Sequence, residues 1–281
     1  MNNKSILTIP NIKIDKQNNP FVSVIIVNKN CYDLLTQCVE SFFKHHKSFN
    51  GEILIGDTGS NKEIYKQIKD YIKQYNNVKM FNVGSYLYSK NNNDLVKKSN
   101  KEAQYYYFVN NDIEFLNNNL DQFIVFHQNN KNIGTLGSHL VYLTQQTQHS
   151  GIFIQQASDM LNFHLGHVNY KTYVHEYNIC EVFGNTGASL FIESKLFKDI
   201  GGFDENMKVF QDVKLNIEVL KRNKINFNVG TALAYHLESY SRKQNPNDMK
   251  ELQYDIKFFQ PYLRKNKQYF QKYIRQQKII H

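Results

Sequence analysis

The period of the hydrophobic pattern changes repeatedly over the first 110 residues. "FVSVIIVN" (21–28) is an unbroken apolar, β-branched run, the mark of a strand buried on both faces. "YDLLTQCVESFFKHH" follows, in which Leu34, Leu35, Cys38, Val39, Phe42 and Phe43 recur at helical spacing. "EILIGD" (52–57) repeats the strand signal and runs into "DTGSNKE", after which a second helix is predicted from Lys62 to about Tyr75. "VKMFNV" (78–83), a third helix near 90–101 and "QYYYFV" (104–109) complete a β-α-β-α-β-α-β series. Such alternation predicts an α/β fold, with a mostly parallel sheet and helices on both faces.

Beyond residue 130 the pattern loosens. "IGTLGSHLVY" and "CEVFGNTGASLFIES" read as short strands around the histidine-bearing "QHSGIFIQQASDMLNFHLGH". Gly201-Gly202 marks a turn, and a helix is predicted from Gln211 to about Asn223. No internal repeat or low-complexity tract interrupts the chain. The expected organisation is an N-terminal arm over 1–20, one domain over 21–242 and a helical basic tail over 243–281.

Composition narrows the class. At 281 residues and 41% hydrophobic content, with no apolar run near 18 residues, the chain reads as globular rather than membrane-spanning. Its first residues lack the basic-then-apolar layout of a signal peptide, so a cytoplasmic location is expected. Cys31, Cys38 and Cys180 are too scattered for a disulfide framework or a metal knuckle and read as small buried hydrophobes. The net charge of +9 is concentrated at the end, where 261–281 hold six lysines and arginines and no acid. From Tyr262 on, Leu263, Asn266, Tyr269, Phe270, Tyr273 and Ile274 follow helical spacing between those cations. That stripe suits an anionic membrane surface, with the protein at the inner face of the cell membrane. Equally, it suits packing onto the domain or onto a second subunit in a homo-oligomer. No recognition helix, zinc finger or RNP-like motif supports a nucleic-acid partner.

In open α/β sheets ligands bind outside the carboxyl ends of the strands. Three predicted loops there are polar: "NKN", "DTGS" and "NND". Asn110, Asn111 and Asp112 are therefore either an ordinary turn or a ligand site. On the helix from Gln211, Asp212 shares a face with Leu215 and Val219, while Lys214, Glu218 and Lys221 lie on another, so its carboxylate points inward. It either complements the positive helix end or, partly desolvated, serves as a general base. Asp112 and His236 could share a divalent cation if they converge; taken alone, His236 reads first as a hydrogen-bonded structural histidine.

"VSVIIVNKN", "EILIGDTGS", "FVNND", "VFGNTGASLFI", "GGFDENMKVFQDV" and "YHLESYSR" resemble, in order and approximate spacing, the motifs of family 2 glycosyltransferases of the GT-A fold. The resemblance extends from about Phe21 to Arg242 and is strongest to bacterial enzymes that build surface polysaccharide. It implies an inverting transfer of sugar from a nucleotide diphosphate sugar to a hydroxyl of a glycan or lipid-linked glycan, with 21–130 binding nucleotide and 131–242 binding acceptor. It implies that Asp57 reads the base, favouring a UDP-sugar, that Val27, Asn28 and Lys29 line the nucleoside site, and that Lys90 approaches the nucleotide. Asn110, Asn111 and Asp112 match the D-x-D element, with Asp112 and His236 as ligands for Mn²⁺ or Mg²⁺. Asp212 matches the catalytic base. Ser241 and Arg242 would meet the donor phosphates, with Glu238 beside them on the acceptor side. His149, Asn185, Thr186 and Gln211 are further acceptor candidates, and His164 and His167 lie in the same segment. Four positions depart from the family pattern: Asn110 for the first acid of D-x-D, Gln211 and Lys214 for acids flanking Asp212, and Lys29 for an aromatic. These departures leave open a catalytically inactive relative that serves as a binding module.

Overall fold

The computed structural model describes residues 19–157, 160–165, 178–237 and 248–276. The first half follows the hydrophobic pattern closely: β1 (Val22–Asn28), α1 (Tyr32–His45), β2 (Gly51–Asp57), α2 (Lys62–Ile72), β3 (Val78–Asn82), α3 (Tyr88–Lys98) and β4 (Tyr105–Asn110). These strands lie parallel in the order β3-β2-β1-β4. The second half adds β5 (Ile113–Phe115), α4 (Asn119–Asn129), β6 (Ile133–Val141), β7 (Thr147–His149), β8 (Ile152–Ala157) and β9 (Met160–Leu165). It continues with β10 (Ile179–Val182), β11 (Ser189–Glu193), α5 (Ser194–Ile200), α6 (Gln211–Leu220), β12 (Ile225–His236), α7 (Asp248–Phe270) and β13 (Ile274–Gln276).

One ten-stranded sheet joins the two halves. β11 enters antiparallel between β4 and β6, β12 pairs parallel with β6, and β10 closes the far edge. β5 and β7 are short antiparallel additions to β12 and β6. The directions of β3, β2, β1, β4, β6 and β12 agree, as the mostly parallel α/β expectation requires. β13, β8 and β9 form a separate small sheet.

Side-chain alternation explains why β1 and β4 read as continuous apolar runs. Val22, Val24 and Ile26, with Tyr105 and Tyr107, face α1, α2 and α4 through Leu35, Phe42, Ile68 and Phe123. Ile25, Tyr106 and Phe108 face α3, α5 and α6 through Leu95, Phe197, Leu215 and Val219. Apart from Ser23, whose buried hydroxyl donates to Glu52, every residue of these strands but the last thus meets a core, and the carboxyl ends carry the polarity.

The tail is helical, as expected: α7 starts at Asp248 and passes through Pro261. Of the occupants open to its apolar stripe, the structure shows the domain itself. Leu263 and Phe270, with Phe259, are fully buried against Ile154, Phe183, Val213, Ile217 and Leu220. Burying such side chains contributes about 1.5–3 kcal/mol each, so the body outcompetes solvent for that face. Tyr269 is the member of the stripe left exposed.

Candidate active site at the strand ends

The register of the parallel strands sets Asn28 beside Asp57 and Val27 beside Asn110. At the end of β2 the Asp57 carboxylate folds back on its own loop. Its Oδ2 accepts the N–H groups of Gly59 and Ser60, both at 3.1 Å. Gly59 takes φ of 93°, which side-chain-bearing residues avoid. The other oxygen, Oδ1, is buried without a donor, so a charged acceptor is held ready at the bottom of the loop. Asn28 Oδ1 accepts from Asn111 Nδ2 at 2.6 Å, and its own Nδ2 is buried without an acceptor. Val27 is half-buried, and Lys29 stands exposed at the rim.

β5 brings the second cluster together. Its antiparallel pairing with β12 sets His236 opposite Ile113, next to Asp112, and the Leu237 N–H donates to the Asp112 carbonyl at 3.0 Å. Gln148 on β7 grips His236 twice: its Nε2 donates to the His236 carbonyl at 3.1 Å, and its Oε1 lies 2.6 Å from His236 Nδ1. The first bond orients the amide, so the second requires the imidazole proton on Nδ1. In the neutral ring Nε2 then keeps its lone pair, 3.3 Å from Asp112 Oδ1. An imidazole nitrogen and a carboxylate oxygen facing each other at that spacing fit a hard or borderline divalent cation. Gln148 plays the orienting part typical behind a ligating histidine. Asn110 Nδ2 lies 3.4 Å from the same nitrogen and supplies no charge. Among the described residues no group of three or more His, Cys, Asp or Glu ligands forms. Burial holds the nearby Cys31 thiol up; the Asn111 hydrogen bond opposes this and the Asp112 charge adds to it, so the thiol stays neutral.

Asp212 is the second residue of α6 and is 9% exposed. Its Oδ1 accepts the Val213 N–H at 2.7 Å, which complements the helix end, and its Oδ2 accepts the Gly187 N–H at 3.0 Å. One oxygen thus complements the helix end while the other reaches across to the "GNTGAS" loop. Gly187 is enclosed from its other side by Tyr88, whose hydroxyl donates to the Gly187 carbonyl at 2.8 Å. Burial, reinforced by the Asp212 and Tyr86 charges, pushes the Tyr88 phenol far above its usual range and keeps it a donor. A Cβ on Gly187 would stand 2.3 Å from the Tyr88 oxygen, which explains the glycine.

The next residue ties this loop to the cation pair, because the Asn110 N–H donates to the Ala188 carbonyl at 3.0 Å. His149, adjacent to Gln148, accepts the Thr186 N–H on Nε2 at 3.3 Å. Asp57, Asn28, Asn110 and Ala188 thus mark successive strand ends on β2, β1, β4 and the lead into β11. Three inter-strand gaps of about 4.8 Å span about 14 Å, room for an extended nucleotide laid across the edge.

Some expected residues are placed elsewhere. Lys90 is exposed on α3 and its ammonium pairs with Asp94 one turn along. Asn185 is fully buried; its Nδ2 donates to the carbonyls of Thr135 and Phe227 at 3.3 and 3.0 Å, while Asn216 Nδ2 donates to its carbonyl. It braces the loop, and only Thr186 of "GNTGAS" reaches the surface. Gln211 is half-buried beside Asp212, with a buried Oε1 that no donor reaches. Glu238, Ser241 and Arg242, together with His167 and the side chain of His164, lie outside the described residues. Gln148, Gly187 and Tyr88 were not foreseen. The two glycines of "GNTGAS" were the available signal for Gly187, and nothing in the spacing marks Gln148.

The model of the family described as glycosyl transferase family 2 matches residues 23–191, more than half of the chain. The chain is 25% identical over 237 residues to the O-antigen biosynthesis protein RfbC of Myxococcus xanthus, covering 80% of this chain and 18% of that protein. It spans a quarter or less of the length of the curated relatives it matches. Among solved structures it is similar to GalNAc-T7 in complex with UDP, GalNAc and Mn²⁺, with a TM-score of 0.66 and 16% identity over 83% of this chain and 46% of that one. It is also similar to the mannosyltransferase PcManGT of Pyrobaculum calidifontis with GDP-Man and Mn²⁺, with a TM-score of 0.57 and 9% identity over 83% of this chain and 61% of that one. The sheet order, the polar strand ends and the family match agree, and the chain belongs to glycosyl transferase family 2, with the GT-A fold.

Proposed function

We propose that this protein is an inverting glycosyltransferase that takes a UDP-sugar as donor and a glycan hydroxyl as acceptor, with Asp212 as general base. The observation that carries the reading is the linkage of Asp212 to the strand ends. Gly187 donates to Asp212, and its neighbour Ala188 accepts from Asn110, two residues before Asp112. Base and anion-binding edge are therefore built on adjacent backbone.

Asp57 Oδ1, buried and without a donor, is suited to accept a ring N–H such as that of uracil, and a hydrogen bond to a charged group contributes about 1.5–3 kcal/mol. Asn28 and Asn111 border the ribose and diphosphate. Asp112 and His236 would hold a divalent cation, which when bound neutralises the diphosphate and stabilises it as a leaving group. Asp212 takes the proton of the acceptor hydroxyl while its oxygen bonds to the anomeric carbon; the carbon–phosphate-oxygen bond breaks and UDP departs with that electron pair. Attack opposite the leaving group inverts the anomeric centre. Thr186, Gln211 and His149 line the acceptor side. The resemblance to an O-antigen biosynthesis protein supports a surface glycan as the acceptor class.

Thermal protection by a panel of UDP-, GDP- and dTDP-sugars with Mn²⁺ identifies the donor, because a ligand that binds only the native state stabilises it by RT ln(1 + [L]/Kd). With that donor, Asp212→Asn keeps UDP affinity and loses at least 100-fold in UDP release. Unchanged turnover in Asp212→Asn refutes the base.

A further inference from the structure

The chain entering α6 is held from outside the strand-end cleft. The N–H groups of Lys208, Val209 and Phe210 precede the helix and have no partner within it. All three converge on one oxygen, Asp255 Oδ2, at 2.9, 2.6 and 3.1 Å. Asp255 is fully buried and belongs to α7, 45 to 47 positions along the chain and beyond the segment matched by the family model. Three N–H donors on one carboxylate oxygen make charge-assisted bonds, stronger than neutral ones. Around them the two helices are locked side by side. Phe210 stacks on Phe259 at 5.9 Å, Lys214 lies over the Tyr262 ring at 5.0 Å, and the Tyr262 hydroxyl donates to Glu218 at 2.5 Å. The opposite side of α6 presents Asp212 and Asn216 to the "GNTGAS" loop.

We propose that Asp255 is a positioning residue for the base: by gripping the three peptides before α6 it sets where Asp212, two residues past Phe210, aims its carboxylate. This rests on the reading of Asp212 above. The bond from Gly187 tethers one end of that carboxylate, and Asp255 fixes the backbone that delivers it. Misplacement of a reacting group by about 1 Å lowers rate about 100-fold, so a modest shift of the α6 entry appears in turnover before it appears in binding.

The test uses UDP release from the donor chosen by thermal protection. Asp255→Asn is expected to lower kcat at least tenfold, with the donor KM and the UDP Kd within twofold of the parent. The acidic limb of its pH–kcat profile, which reports the base in the bound complex, is expected to move to higher pH as Asp212 loses its bond from Gly187. Asp255→Ala shows a larger loss in the same direction. Leu263→Ala, on the same helix but away from the three N–H groups, lowers Tm and leaves kcat and the acidic limb in place. Wild-type kcat and pH profile in Asp255→Asn overturn the proposal, as does an equal kcat loss and limb shift in Leu263→Ala. If Asp255→Asn shows no cooperative melt, Phe259→Leu, which removes the ring stacked on Phe210 but stays apolar, carries the same expectation and the same refutation. Asp212→Asn assayed alongside separates the two ideas. If it is fully active the base assignment fails, whereas an inactive Asp212→Asn beside an unaffected Asp255→Asn removes only the positioning role.

Discussion

Gly187→Ala puts one methyl group where the site has no room for it. Its Cβ would stand 2.3 Å from the Tyr88 hydroxyl oxygen and 2.9 Å from the adjacent ring carbon, both on a side chain held by burial and by its bond to the Gly187 carbonyl. Either Tyr88 or the loop must move, and overpacking of this kind costs about 1–3 kcal/mol of stability. The functional effect is separate. If the loop moves, the Gly187 N–H leaves Asp212 Oδ2, and a bond to a charged acceptor contributes about 1.5–3 kcal/mol. Expressed in the barrier at about 1.4 kcal/mol per tenfold, that loss lowers kcat by about 10- to 100-fold. Tyr88→Phe removes the clashing oxygen, so the double variant Gly187→Ala/Tyr88→Phe should recover a substantial part of both losses. Initial rates of UDP release and thermal melts on the four members of the cycle provide the readout. Losses that simply add, with Tyr88→Phe giving no relief, would show that the ring does not confine the loop. A Gly187→Ala enzyme within threefold of the parent would break the link between this loop and the base.

Other perturbations reach the remaining parts. Because Asp112 and His236 are the paired ligands on offer, Mn²⁺ affinity measured by titration should be weak alone and rise steeply with saturating UDP; Gln148→Leu, which frees the His236 ring, should weaken the UDP-supported affinity by about 10- to 100-fold, and an unchanged value would rule out Gln148 as its orienter. His46 is buried, stacked on Phe42 at 4.3 Å and edge-on to Phe115, and burial lowers its pKa to about 3 despite the bond to the Phe42 carbonyl. From pH 6.5 down to about 3 the unfolded chain therefore binds a proton that the native state refuses, and stability is lost as pH falls through 6.5, by up to about 1.4 kcal/mol per unit. Urea unfolding at pH 7 and pH 5 should show that drop shrink by about 2 kcal/mol in His46→Gln; an identical drop would assign the acid sensitivity to other groups.

The first half was legible because β1, β2 and β4 are buried on both faces, so their composition alone announces strands and their polar ends announce loops. Asp112, Asp212 and His236 were named from residue type and placement and Asp57 from the family resemblance, and the sheet register brings Asp112 to His236 and the β2 end to the β1 end. What failed to show were contacts between elements distant in sequence. Asn185 looked like a ligand contact because glycines flank it, yet those glycines admit the protein's own groups: Tyr88 crowds Gly187, and Asn216 crowds Gly184. Lys90 carried its own warning in Asp94 four residues later, the spacing of a helical ion pair. The period of the α7 stripe was visible, but a stripe does not say what covers it. Periodicity reports that a face is apolar, and only the rest of the fold decides its occupant. α4 was obscured by the asparagines around it, although Asn118 is the residue that accepts the Asp121 N–H at its start.

The placement of β12 beside β6, with His236 at its end, orders events during synthesis. A chain emerging from its amino end has β1 to β4, and with them the loop of Asp57, long before residue 236 or the Asp255 brace exists. Domains acquire structure from the amino end first as they are made. A half-made molecule thus carries the strand ends of Asp57 and Asp112 while it still lacks both the partner of Asp112 and the brace on α6.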